Sequence, residues 1–166
     1  IHDNNLPFEA GSGTEVDGFD PDLMKEIAKE LGDIKIEWNR VPEFNKCFDV
    51  LKNKDLKNGA DVVINAVSIT EERKKEFDFS EPYFETGIRV AVKTGSPIQS
   101  FNDLKGGKRI AVEKDSTSEA YVKANLPDAQ VKLVNSLDEA MNTDLSQDEI
   151  DAVVGDEGTL QYIINN

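Results

Sequence analysis

Cysteine and histidine are nearly missing from this chain. Cys47 is the single cysteine and His2 the single histidine among 166 residues. One thiol excludes an intrachain disulfide, and without a CxxC pair or a histidine cluster a structural zinc site has no ligands to draw on. A Ser-His-Asp or Cys-His catalytic set would have to use His2 at the extreme terminus. Positive charge is scarce too: 19 Lys and Arg stand against 33 Asp and Glu, for a net charge of -14. Such a surface repels phosphate backbones and gains nothing on anionic lipid, which argues against nucleic-acid partners and membrane-surface binding. No apolar run approaches the ~20 residues of a membrane span. No leading segment has the build of a signal peptide, and Ile1 reads as already inside a strand. The natural N-terminus is therefore expected to lie upstream.

What remains is a globular composition, with 38% hydrophobic residues, 11 Gly and 6 Pro. The length suits one ordinary domain or two small lobes. The clearest helix is predicted over Pro21 to Leu31, with Asp20 as N-cap, Pro21 at the first helical position and Gly32 as the stop. Leu23, Met24, Ile27, Ala28 and Leu31 recur at helical spacing. Lys35 to Trp38 alternates like a strand, and a second helix is expected from Phe44 to Asn53. Ala60 to Asn65 is β-branched and largely apolar, as in a buried strand of a parallel sheet. Thr70 to Lys75 reads as a helical turn opening on Thr70.

The second half continues the alternation. Strands are expected at Arg89–Val92, Arg109–Val112, Gln130–Val134 and Asp151–Val154. Helical segments are expected at Phe101–Leu104, Ser116–Asn125, Ser136–Met141 and Gly158–Ile164. Ser136 with Glu139, and Ser116 with Glu119, have capping-box spacing. Strands alternating with helices imply an α/β fold with parallel sheets. The halves also echo each other: Phe48-Asp49, Asp55-Leu56 and Asp61-Val62-Val63 recur as Leu137-Asp138, Asp144-Leu145 and Asp151-Ala152-Val153-Val154. Any two βα units share such features, so the echo is weak ground for two-lobe symmetry.

Three places have chemical potential. Ser68-Ile69-Thr70-Glu71-Glu72-Arg73 follows the predicted strand ending near Asn65, where ligands of open α/β sheets bind. A guanidinium there can grip a carboxylate through two parallel hydrogen bonds. The alternative is an exposed arginine paired with Glu71 or Glu72. Asp115-Ser116-Thr117-Ser118-Glu119 opens a helix whose free N–H groups suit an anion, and is equally a plain capped helix. Gly155-Asp156-Glu157-Gly158 places a carboxylate at a strand's end, suited to an ammonium group; it also reads as an acidic tight turn. Together the three make a set shaped for an amino acid.

At these residues the sequence resembles the polar amino-acid family of periplasmic solute-binding proteins, the partners of ABC importers. The resemblance covers essentially the whole chain. It runs through Leu6-Pro7-Phe8-Glu9, Gly18-Phe19-Asp20-Pro21-Asp22-Leu23, Ser68-Ile69-Thr70-Glu71-Glu72-Arg73, Phe77-Asp78-Phe79-Ser80-Glu81-Pro82-Tyr83-Phe84, Leu104-Lys105-Gly106 and Asp151-Ala152-Val153-Val154-Gly155-Asp156. It implies two α/β lobes that close on ligand like a clam, the periplasmic-binding-protein type II arrangement, with lobe one at residues 1–86 and lobe two at 87–166. Arg73 would match the family's carboxylate-binding arginine, with Ser68 beside it and Ala66 offering main-chain groups. Ser116 and Thr117 would approach the same carboxylate, Asp156 would take the ammonium, and Phe44 would wall the pocket.

The resemblance has departures. Asn5 stands where many members carry a stacking aromatic, and His2 with Asp3 beside it where many carry an acid. Glu113 falls at a position that varies with ligand, where an acid would favour a cationic or amide-bearing side chain. Members normally run on beyond the Gly155-Asp156 strand and cross back to finish lobe one. The chain is thus expected to be truncated, or completed by a partner chain as in a domain-swapped dimer, with apolar surface left exposed. The implied activity is capture of a free amino acid for ABC transporter membrane subunits, outside the cytoplasm or lipid-anchored, with no cofactor and no catalysis. Rival readings are an amino-acid-sensing receptor ectodomain and a cyclohexadienyl-dehydratase-like enzyme using Glu113 or Glu157 as general acid.

Overall fold

The computed structural model describes residues 1, 5–12, 15–53 and 59–166. His2, Asp3, Asp55 and Leu56 lie outside the described residues.

The C-terminal half is built on a mixed four-stranded sheet. Its strands are β3 (Ile88–Ala91), β4 (Arg109–Glu113), β5 (Gln130–Val134) and β6 (Ala152–Asp156), in the order β3-β6-β4-β5. β4 runs parallel to both β5 and β6, while β3 pairs antiparallel with β6. The all-parallel arrangement expected from the sequence therefore fails at one edge. The helix-bearing connections after β4 and β5 are long enough for parallel crossovers, and β3 enters from the preceding segment without one.

Period-two alternation sorts the central strands onto two cores. Ala111 and Val153 face one side, where Leu137, Ala140, Leu145 and Leu160 pack. Ile110, Val112, Ala152 and Val154 face the other, against Leu104, Val122 and Leu126. Both faces are covered, which is why these strands read as unbroken apolar runs. The covering pieces are a 3-10 turn at Phe101–Leu104, α4 (Thr117–Asn125), α5 (Leu137–Glu139) continued by a π-helical turn at Ala140–Leu145, and α6 (Glu157–Asn165). Ser116 and Ser136 cap α4 and α5 by accepting the Glu119 and Glu139 N–H groups. The Glu119 carboxylate takes the Asp115 N–H instead of closing the box on Ser116.

The N-terminal part holds a hairpin of β1 (Ala10–Ser12) and β2 (Glu15–Asp17), then α1 (Phe19–Glu30), α2 (Lys46–Lys52) and the single turn α3 (Glu71–Lys74), capped by Thr70. α1 starts earlier than its sequence signals suggested. Gly18 is its N-cap, and Asp20 sits inside the first turn with its side chain fully buried. Two strand expectations are corrected. Lys35–Trp38 forms no ladder and is mostly exposed, and Ala60–Asn65 is not a buried parallel strand. Val62 is 60% exposed, and no described strand lies beside it to pair with or cover it. The β-branched composition favours an extended backbone, but a strand also needs a neighbour. Beside this segment opens a groove of about 610 Å³, lined by Phe8, Phe48, Val62, Phe77, Phe79 and Phe84 among others. No described helix is long and apolar enough to cross a membrane.

Candidate functional site

The charged residues singled out from the sequence meet in one narrow cleft. Arg73, Glu113 and Asp156 line it together, with Asn5, Phe44, Ala66, Ser68, Ser116 and Thr117. All nine expected site residues therefore share a single cavity. It is far smaller than the apolar groove. We assign chemistry to the small cleft because the ionisable and hydroxyl groups converge there.

The topology explains the convergence. Glu113 and Asp156 are the last residues of the neighbouring parallel strands β4 and β6. The carboxyl ends of such strands are where an α/β sheet opens onto ligand. Ser116 caps α4 immediately beyond β4; its hydroxyl donates to the Glu113 carbonyl at 2.7 Å. The Thr117 hydroxyl faces the Ser68 hydroxyl across the cleft at 3.5 Å.

Arg73 enters from the opposite side on α3. Its guanidinium donates to the Ser68 carbonyl at 2.9 Å and to the Asp115 carbonyl at 3.4 Å. It lies 5.3 Å from the centre of the Phe44 ring and 5.2 Å from that of Phe48. The two rings stand at 90° to each other beside a cation whose charge is already partly desolvated. Burial lowers the Arg73 pKa, and the Asp156 carboxylate opposes that shift. Burial raises the Asp156 pKa, and Arg73 opposes it in turn. The pair feel each other's field yet form no ion pair, so neither neutralises the other. Glu113 is pushed up to about 7, first by burial and then by Asp156. Its carboxylate has no hydrogen bond or ion pair with the described residues, and neither Glu71 nor Glu72 holds Arg73.

Two expected contacts are already engaged. The Ala66 N–H is donated to the Asp20 carboxylate at 2.6 Å, so that amide is not free for a ligand. Asn5 gives its amide to Glu9 at 3.1 Å and accepts from the Thr159 hydroxyl at 2.8 Å. Glu157 pairs with Arg89 at 3.0 Å and does not line the cleft.

Sequence reasoning missed the support behind this wall. Asp20 also accepts from the Tyr83 hydroxyl at 3.2 Å. Glu9, wholly buried, lies against it and is pushed up to about 9, by burial first and by Asp20 second. One oxygen on each carboxyl has no other partner. A proton on Glu9 shared with Asp20 satisfies both, which is the usual outcome when two carboxyls share a dry site. Asp20 thereby pins Ala66 at φ 44, a left-handed backbone that an alanine adopts only under constraint. Phe48, Ser118, Leu137 and Thr159 were also missed. Phe48 was findable, four residues beyond Phe44 within the helix that the sequence led one to expect from Phe44 to Asn53, although α2 begins only at Lys46.

Residues 1–155 match the bacterial extracellular solute-binding proteins, family 3. The chain belongs to that family. Among curated members it is 37% identical over 150 residues to the ABC transporter glutamine-binding protein GlnH of Bacillus subtilis, covering 90% of this chain and 53% of that protein. The chain thus spans about half the length of that relative. Among solved structures, an ancestral arginine-binding protein bound to arginine superposes with a TM-score of 0.82 at 38% identity, covering 99% of this chain and 72% of that one. An ancestral amino acid-binding protein, a precursor of cyclohexadienyl dehydratase, gives 0.83 at 32% identity, covering 99% and 71%. The architecture is the two-lobed α/β fold of these binding proteins, of which this family 3 chain carries a part.

Proposed function

We propose that the chain captures a free α-amino acid in the Arg73–Asp156 cleft, on behalf of an ABC importer outside the cytoplasm. Lobe one is residues 1–86 and lobe two 87–166. The observation that carries the reading is a guanidinium and a carboxylate facing across one cavity without pairing. That gap fits a zwitterion: Arg73 takes the ligand carboxylate with the Ser68 and Thr117 hydroxyls, and Asp156 takes the ammonium. Phe44 and Phe48 favour the guanidinium's position through cation–π contacts, and Phe44 walls the pocket. Ligand adds contacts to both lobes only when they are together, so binding favours the closed state. Capture involves no bond-making, in keeping with the binding proteins this chain resembles.

Titration with the standard amino acids, read by calorimetry and thermal shift, tests the reading. One or more should raise the melting temperature. Arg73→Ala and Asp156→Asn should each weaken binding by at least about tenfold, the loss expected when one partner of a buried charge contact is removed. Unchanged affinity in both variants, with circular dichroism intact, refutes it.

Self-association is the companion proposal. The Asp61–Ile64 backbone, which pairs with no strand among the described residues, and the apolar groove beside it suit the same segment of a second copy, paired about a two-fold axis. Light scattering should give a dimer at micromolar concentration; a monomer overturns it.

A further inference from the structure

The charges lining the cleft do not balance. Among the described residues, Arg73 is the one cation lining it, against two carboxyl groups, Glu113 and Asp156. Lys114, next in sequence to Glu113, does not line this cleft; its ammonium lies 3.8 Å from Glu43. A zwitterion does not correct the imbalance. It brings one carboxylate for Arg73 and one ammonium for Asp156, and adds no net charge. Glu113 would be left as a buried, unpaired carboxylate, an arrangement that costs several kcal/mol in general.

We infer that Glu113 is the specificity-determining residue of the site and selects an α-amino acid whose side chain carries a positive charge. The inference rests on the zwitterion reading above and adds the class of side chain. Geometry supports it in three ways. Glu113 ends β4 one strand away from Asp156, so it meets a ligand held at its α-carbon by Arg73 and Asp156. Its carboxylate has no hydrogen bond or ion pair with the described residues, so it is not occupied in holding the fold. Phe44 and Asn5 complete the wall around it, one apolar and one with both polar ends engaged by Glu9 and Thr159. An alkyl stem can lie along such a wall while its cationic head reaches the carboxylate.

The competing solution is a proton on Glu113. The raised pKa makes that accessible near neutrality, and a protonated carboxyl could donate to a neutral amide. The two cases separate in one experiment on the intact chain. Arginine, lysine, glutamine and leucine are titrated calorimetrically into the wild type and into Glu113→Gln, with Glu113→Asp as a charge-conserving second variant. Arginine or lysine should bind wild type at least about tenfold tighter than glutamine and leucine. Glu113→Gln should erase that preference, and Glu113→Asp should retain part of it. Glutamine or leucine binding as tightly as the cations overturns the inference and leaves the zwitterion site intact. So does a cation preference that survives in Glu113→Gln. Failure of the underlying reading looks different: no amino acid binds, or Arg73→Ala leaves binding untouched, and both proposals then fall together.

Discussion

Thr159 donates its hydroxyl to the side-chain oxygen of Asn5 at 2.8 Å, although 154 positions separate them in the chain. The bond runs from the first turn of α6 to the loop before β1, on the rim of the charged cleft. Asn5 in turn holds Glu9, and Glu9 lies against the carboxyl that pins Ala66. A contact between α6 and the N-terminal loop is thus continuous with the main chain of the binding wall.

If this bond forms only when the lobes are together, it stabilises the closed state alone. Thr159→Val and Asn5→Ala should then weaken amino-acid binding by about 1 kcal/mol, or roughly fivefold. The wild-type circular dichroism spectrum should be preserved in both. Calorimetry at fixed pH measures the loss, and unchanged affinity in both variants means the contact plays no part in closure.

Glu9 should make the fold sensitive to alkaline pH. Its pKa rises from 4.5 to about 9 on folding. Between those limits the folded chain holds a proton that the unfolded chain has released. Its contribution is therefore complete below the unfolded value and is lost as pH climbs through the folded one. Stability should fall with rising pH in this window by up to roughly 1 kcal/mol per pH unit from this group. Glu9→Gln keeps a donor for Asp20 and should flatten the slope. Urea melts from pH 5 to pH 9 test it, and an equal slope in both proteins would assign the proton elsewhere.

Gly18→Ala should damage the site through the backbone. Gly18 has φ 114, a region closed to most side chains, and a Cβ there would meet the Phe8 carbonyl oxygen at 2.5 Å. The residue caps α1 and so aims Asp20 at Ala66. The strain and the clash should cost on the order of 1–3 kcal/mol. A melting temperature within error of wild type would show that the turn relaxes.

The C-terminal half was legible because the central strands of its sheet are buried on both faces. Arg109–Glu113 and Ala152–Asp156 are covered on both faces, so burial agrees with the apolar pattern that sequence reading relies on. Arg73 was singled out by the family resemblance, since local pattern alone reads it equally as an exposed arginine beside Glu71 and Glu72, while Asp156 stands at the end of a clear apolar strand. Ala60–Asn65 misled because its pattern records the strand it is suited to form, while its pairing depends on chain beyond its neighbours. Asp20 misled because Asp before Pro is a good cap by local rules, and only the fold shows its carboxylate turned inward. Thr159 and Glu9 matter through partners at long range, which no local pattern carries.

Cation binding should tighten as pH rises through neutrality. In the free cleft Glu113 titrates at about 7, so near that pH a good share of molecules carry its proton. A cationic side chain needs the carboxylate and must expel that proton, so affinity grows until Glu113 is fully ionised. Asp156, raised by burial, adds a slope of the same sign because the ligand ammonium needs its carboxylate too. Arg73, which also faces the pair, stays charged throughout this range, and Glu9, whose field reaches Glu113, is pushed up to about 9 and so keeps its proton over most of it. A neutral amide held by protonated Glu113 would show the opposite trend, weakening as the proton leaves. Dissociation constants for arginine and glutamine between about pH 6 and 8 therefore discriminate by sign, and Glu113→Gln should remove the part of the slope centred near neutrality.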